Sequence, residues 1–211
     1  MLRLQAGIPA EYNDVPDDLV ERIAAAKESL GDRLFVLGHH YQRDEVMRWA
    51  DARRQLRTVR ARPTATEADY IVFCGVHFMA ESADILTADH QQVVLPDLNA
   101  GCSMADMANI DEVEEAWDSI AEVTDIERVL PITYMNSSAD LKAFVGARGG
   151  AVCTSSNARA VLEWAFNDPE GPNASQVLFF PDQHLGRNTG MAMGYDDSDM
   201  AVWNPRADPA V

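Results

Sequence analysis

Histidine, tyrosine, cysteine, asparagine and serine follow short apolar runs at six places in this sequence. Gly38-His39-His40-Tyr41-Gln42 follows Leu34–Leu37, and Gly75-Val76-His77 follows Tyr70–Cys74. The run Gln92–Leu95 leads into Pro96-Asp97-Leu98-Asn99-Ala100-Gly101-Cys102-Ser103, and Val129–Tyr134 leads into Met135-Asn136-Ser137-Ser138. Ala151–Cys153 is followed by Thr154-Ser155-Ser156-Asn157, and Val177–Phe180 by Pro181-Asp182-Gln183-His184. Histidine can carry a proton near neutral pH, and tyrosine, asparagine and serine offer fixed neutral hydrogen bonds. Serine and asparagine in such loops also cap helices, so Ser137, Ser138, Ser156 and Asn157 taken singly suit either role. Capping explains neither a tyrosine two residues from an asparagine at a strand end nor the His39-His40-Tyr41 run.

The three cysteines differ in setting. Cys102 lies in LNAGCSMAD, where small residues let backbone amides approach a ligand and Ser103 could cap the next turn. Cys74, between Phe73 and Gly75, reads as a buried small hydrophobe, and Cys153 is open to either role. No CxxC pair and no His/Cys pair at zinc-finger spacing occurs, which argues against a self-contained zinc site. A thiol nucleophile on Cys102 or Cys153 would need a histidine partner, with His39, His77 and His184 as candidates.

Alternating elements must position these groups. The six apolar runs are short and continuous, which suits buried parallel strands. Helical patterns separate them over Asp17–Leu30, Ala80–Leu86, Asp111–Ile120, Ser138–Phe144 and Asn157–Trp164. A βαβα succession predicts an α/β fold with three-layer αβα packing. In such sheets ligands bind beyond the carboxyl ends of the strands, where the polar clusters fall.

The chain has 211 residues, 34 acidic against 17 basic, and a formal charge of −17. That balance argues against nucleic acid as a partner, because such binding rests on clustered cations. Only Lys27 and Lys142 are lysines, a pattern that suits a salt-rich cytoplasm. The longest apolar runs fall far short of the roughly 20 residues of a membrane span. The first residues, MLRLQAGIPAEYNDVPDD, lack a secretory pattern, so a cytoplasmic location is expected. An odd cysteine count in such a chain favours free thiols or metal ligation over disulfides.

The motifs LGHHYQRDEVM, ADYIVFCGVHFMAESADIL, VVLPDLNAGCSMAD, ITYMNSSADLKA, VCTSSNA and LFFPDQHLGRNTG, in this order, resemble quinolinate synthase over nearly the whole chain. The resemblance implies a transferase of NAD biosynthesis that condenses iminoaspartate with dihydroxyacetone phosphate, releasing water and phosphate. An L-aspartate oxidase or aspartate dehydrogenase step upstream is implied with it. A [4Fe–4S] cluster held by three cysteines is also implied, with the open iron acting as Lewis acid. Cys102 matches the first of those cysteines. His39 and Tyr41 match the substrate histidine and the nearby tyrosine of the L-x-H-x-Y-Q motif. Tyr134, Asn136 and Ser155 match positions that hold substrate carboxylate and hydroxyl groups. Tyr41 and Tyr134 are accordingly expected to be catalytic, and His39, Tyr134, Asn136 and Ser155 to bind substrate.

The resemblance implies three similar αβα domains, of which two and the start of a third are expected here: residues 1–96, 97–181 and a truncated 182–211. The other two cluster cysteines would lie in the missing part of the third domain, leaving one of three ligands. Five of the seventeen basic residues, Arg53, Arg54, Arg57, Arg60 and Arg62, crowd the stretch from Arg53 to Ala65, where the family has a Gly-Asp-Ser motif. A local out-of-frame stretch is the expectation there, ahead of a solvated basic face or an anion site.

Overall fold

The computed structural model describes residues 16–53 and 67–203. The arginine stretch from Arg54 onward therefore lies outside the described residues. Among the described residues, seven strands form two all-parallel sheets. The first holds β1 (Leu34–Gly38), β2 (Ala52–Arg53), β3 (Tyr70–Cys74) and β4 (Gln92–Val94) in the order β2-β1-β3-β4. The second holds β5 (Val129–Tyr134), β6 (Ala151–Cys153) and β7 (Gln176–Phe180) in the order β6-β5-β7. The α/β class and parallel pairing read from the sequence are thus observed, and each sheet has helices packed on it.

The central strand β5 shows why continuous apolarity marks such strands. Its first five residues are buried, because one face packs against α6 (Ala158–Asn167) and the other against α5 (Ala139–Ala147). Ile132 joins Leu162 and Ala165 in one cluster; Leu141, Phe144 and Val145 build the opposite one with Phe180 of β7. Helix α4 (Ile110–Ala121) covers that second cluster, its Trp117 ring meeting Phe144 edge-on at 5.5 Å. Its N-cap is Asn109, whose side chain accepts from the Glu112 N–H at 2.9 Å. Edge position changes the pattern: β4, paired on one side only, exposes Gln92 and Val94 and does not conform to the buried expectation.

In the first unit, α3 (His77–Leu86) lays Phe78, Met79, Ala80 and Ala83 against Ile71 and Phe73 of β3. It begins three residues before the expected Ala80, because the His77 N–H is satisfied by the Ala100 carbonyl at 2.9 Å rather than by a cap. Helix α1 (Leu19–Leu30) buries no residue fully and is tied down by Lys27, whose Nζ donates to Trp49 O at 2.5 Å and Asp51 Oδ1 at 2.6 Å. Among the strands and α-helices of the described residues, β2, α2 (Asp44–Met47) and α7 (His184–Met193) are additional to those expected from the sequence.

Candidate functional site

The carboxyl ends of the two sheets meet. A loop leaves β1 at Gly38, where a Cβ would lie 2.6 Å from Met47 Sδ and 2.9 Å from Ala50 Cβ, so glycine lets the α2 segment close on the strand end. The turn is tight, with the His39 N–H on Cys74 O at 2.9 Å and the Gln42 N–H on His39 O at 3.0 Å. It folds the Tyr41 ring back onto His39, their centroids 3.9 Å apart, with His40 4.4 Å from His39 on another side.

His39 is the electrostatic anomaly. Its Nδ1 is buried without a hydrogen-bond partner. Burial, with a smaller contribution from the positive charge His40 can carry, pulls its pKa from 6.5 down to about 4, so the imidazole is neutral at physiological pH. A buried neutral ring nitrogen with no hydrogen-bond partner is a polar group that the fold leaves unsatisfied at the end of a buried strand.

Cys102 comes from the loop after β4. That loop is fixed by the Asn99 N–H on Asp97 Oδ1 at 2.9 Å, the Gly101 N–H on Asn99 O at 2.7 Å and the Ala100 carbonyl under His77. Ser103 does not cap the short turn at Ala105–Met107; Met104 holds the N-cap position and makes no side-chain cap.

The second sheet reaches across to this loop. Beyond Tyr134, the Met135 N–H bonds to Cys153 O at 2.8 Å and its side chain packs into the core of the first unit. Asn136 then donates from Nδ2 to Cys102 Sγ at 3.7 Å. The phenols of Tyr41 and Tyr134 both lie within electrostatic reach of Cys102. Each is pushed above its usual range, first by burial; Cys102 adds to it at Tyr41, while at Tyr134 Cys153 and Asp182 add more than Cys102 does. A hydrogen bond from the Ser155 hydroxyl opposes the rise at Tyr134, and one from the Val76 backbone opposes it at Tyr41. Both phenols are O–H groups at neutral pH, able to donate.

Cys102, Asn136, Tyr41 and Tyr134 thus converge, with Ser155 joined through Tyr134 and His39 through Tyr41. None of the four candidate cap residues caps its helix through its side chain. Ser137 Oγ donates to Tyr134 O at 2.8 Å, Ser138 turns to Asp140, and Ser156 pairs with Thr154 at 2.9 Å. Asn157 Oδ1 accepts from the Thr154 N–H at 2.6 Å and hydroxyl at 2.8 Å, bracing the Ser155 loop from behind.

Of the other thiols, Cys153 also acts on Tyr134, but neither is an open reactive group. Cys153 has no exposed surface and burial pushes its pKa up to about 12, which makes it a poor nucleophile. Cys74 is partly rather than fully buried, and its thiol is also pushed up by burial. The hydrogen bond at Cys102 comes from an amide, which cannot take the thiol proton as a hydrolase base would. Among the described residues no group of three or more His, Cys, Asp or Glu side chains gathers where a metal ion could be held.

Glu81 and Lys142, tied to Ala139 and Ser137 beside the Asn136 loop, were not singled out as site residues from sequence, and Asp182 was named there only within the run after the last strand. Asp182, buried, accepts the His184 and Leu185 N–H groups on Oδ1 at 2.6 and 3.0 Å and so caps α7. Its position straight after a strand and before a helical stretch was the available signal. No described helix is long and apolar enough to cross a membrane.

Residues 21–207 match the family model described as quinolinate synthetase A protein. A quinolinate synthase from Nocardioides sp. is 60% identical over 193 residues, covering 89% of this chain and 48% of that protein. Those from Corynebacterium glutamicum and Bacillus subtilis are 55% and 50% identical over 203 and 206 residues, covering 95% and 97% of this chain and 50% and 54% of theirs. The chain spans about half the length of the curated relatives it matches.

Proposed function

The chain belongs to the quinolinate synthetase A family, and from that premise we propose that it carries part of a quinolinate synthase site, condensing iminoaspartate with dihydroxyacetone phosphate in cytoplasmic NAD biosynthesis. An upstream L-aspartate oxidase or aspartate dehydrogenase would supply the imino acid. The observation that supports this reading is the convergence at Cys102: an amide from the second sheet 3.7 Å from its sulfur, and two phenols from different sheets within its field.

In this reading the Asn136 amide, the Ser155 hydroxyl and the Tyr134 O–H bind substrate carboxylate and hydroxyl oxygens, for which neutral donors suffice. Neutral His39 receives a substrate proton or a hydroxyl hydrogen bond on its imidazole. Tyr41, its ring tilted against that of His39, and Tyr134 stand as proton donors where water leaves. The reaction's proposed [4Fe–4S] cluster would take Cys102 as ligand. Cysteine-held cubanes need several thiolates, and Cys74 and Cys153 lie within strands whose burial raises their pKa, so the described residues do not hold a cluster by themselves. The domain limits 1–96, 97–181 and 182–211 remain the proposed division. The lone thiol favours a second reading, a cluster-free crevice for small acids.

Anaerobic iron–sulfide reconstitution, with iron counting and visible absorption, separates these. Uptake that is lost in Cys102→Ala supports the synthase reading. Failure of uptake, with calorimetric binding of a dicarboxylate that Asn136→Ala abolishes, supports the crevice. Neither signal would overturn both.

A further inference from the structure

Helix α5 starts directly after the loop that carries Asn136, yet its own N-cap residue leaves it uncapped. Ser138 spends its hydroxyl on Asp140. The Ala139 N–H is accepted instead by Glu81 Oε2 at 2.9 Å, from a side chain 58 residues earlier on α3 of the other unit. First-turn N–H groups have no partner within their helix, and a carboxylate there also meets the positive end of the helix dipole.

A second tie runs the opposite way. Lys142, one turn into α5, donates from Nζ to the Ser137 carbonyl and lies 5.5 Å over the Phe78 ring of α3. Phe78 and Glu81 are three residues apart on one face of α3, and Glu81 attracts the Lys142 charge. Between these ties runs the segment from Tyr134 to Ser138, pinned by the Met135 N–H on Cys153 O and by buried Ser137 on Tyr134 O. Asn136 is the residue of that segment that reaches Cys102.

We propose that Glu81 is a positioning residue: by accepting the Ala139 N–H across the two sheets, it sets the separation of the Asn136 amide from the Cys102 thiol. Glu81 touches neither Cys102 nor Asn136; it acts through the first turn of α5. Loss of its acceptor lets that turn swing, and the amide leaves the sulfur. The inference rests on reading Cys102 and Asn136 as site groups, but its readouts need neither cluster nor turnover, so a chain that takes up no iron can still pass or fail.

The test uses the chain as it is, with Glu81→Leu, which removes the acceptor, and Glu81→Gln, which keeps one. Two readouts are followed: the Asn136 side-chain amide resonances, and the alkylation rate of Cys102 resolved from Cys74 and Cys153 by peptide mass spectrometry. In Glu81→Leu the resonances should move and the Cys102 rate fall by up to about fivefold, the factor that corresponds to one net hydrogen bond donated to the reactive thiolate. Glu81→Gln should restore most of both. Unchanged resonances and rate in a folded Glu81→Leu, or equal effects of Leu and Gln, would overturn the proposal. If Glu81→Leu does not fold, Glu81→Asp, whose carboxylate stops one methylene short, is read in the same way: displaced resonances with a slower Cys102 support it, and parent values overturn it.

Discussion

Protonating His39 should destabilise the protein, and the size of the effect follows from its setting. Its pKa falls from 6.5 in the unfolded chain to about 4 in the fold, first because burial disfavours the imidazolium and then because His40 can add like charge. Between those values the unfolded state binds more protons than the native one, so stability rises with pH through this window. The contribution is fully present above 6.5 and is lost as pH falls toward 4. The full difference would be about 3.4 kcal/mol at 1.36 kcal/mol per pH unit. Solvent reaches this partly buried ring, which reduces the expectation to about 1–2 kcal/mol. Urea unfolding across this range, for the parent chain and His39→Gln, isolates the term from the carboxylates that titrate in both. The parent should lose about 1–2 kcal/mol more than the variant on acidification, and the His39 ring proton should titrate near 4 in NMR. Parallel stability curves, or a His39 midpoint at the ordinary 6.5, would refute the claim that this ring sits desolvated and neutral at the site.

Three further outcomes are expected. Native-state iodoacetamide at neutral pH should label Cys102 well before Cys153, whose thiol is fully buried and pushed up to about 12, with comparable rates appearing only after denaturation. Ile132→Ala, in the middle of β5 with no exposed surface, should cost about 2–5 kcal/mol in denaturant unfolding without changing the slope. Lys142, whose pKa burial pulls from 10.5 down to about 8, should titrate near 8 by NMR. Its folded value lies below its unfolded one, so its contribution to stability rises with pH from 8 toward 10.5, and Lys142→Met should abolish that rise.

Where local pattern and global packing agree, the sequence was easy to read. The run Val129–Tyr134 is apolar throughout because β5 is covered on both faces, and Val113 and Ala116 face the core as the spacing of α4 predicts. Local pattern was a poorer guide where a distant group had taken over a local role. Ser138 stands at the N-cap of α5, but Glu81 supplies the acceptor. His77 opens α3 early because a loop carbonyl at Ala100 takes its N–H. The two-residue strand β2 and the four-residue helix α2 are too short to show a period.

Residue types at the strand ends, and therefore the candidates His39, Tyr41, Cys102, Tyr134, Asn136 and Ser155, were determined by the sequence alone, because parallel α/β units put their loops at one edge. Which of these meet was decided by the tertiary structure. Cys102 and Asn136 are 34 residues apart and belong to different sheets, and their contact depends on how those sheets dock. The same docking put the Glu81 carboxylate on the Ala139 N–H and Lys142 over the Phe78 ring. Side-chain periodicity reports burial along one element, whereas a site built between elements depends on through-space distances that no local pattern encodes.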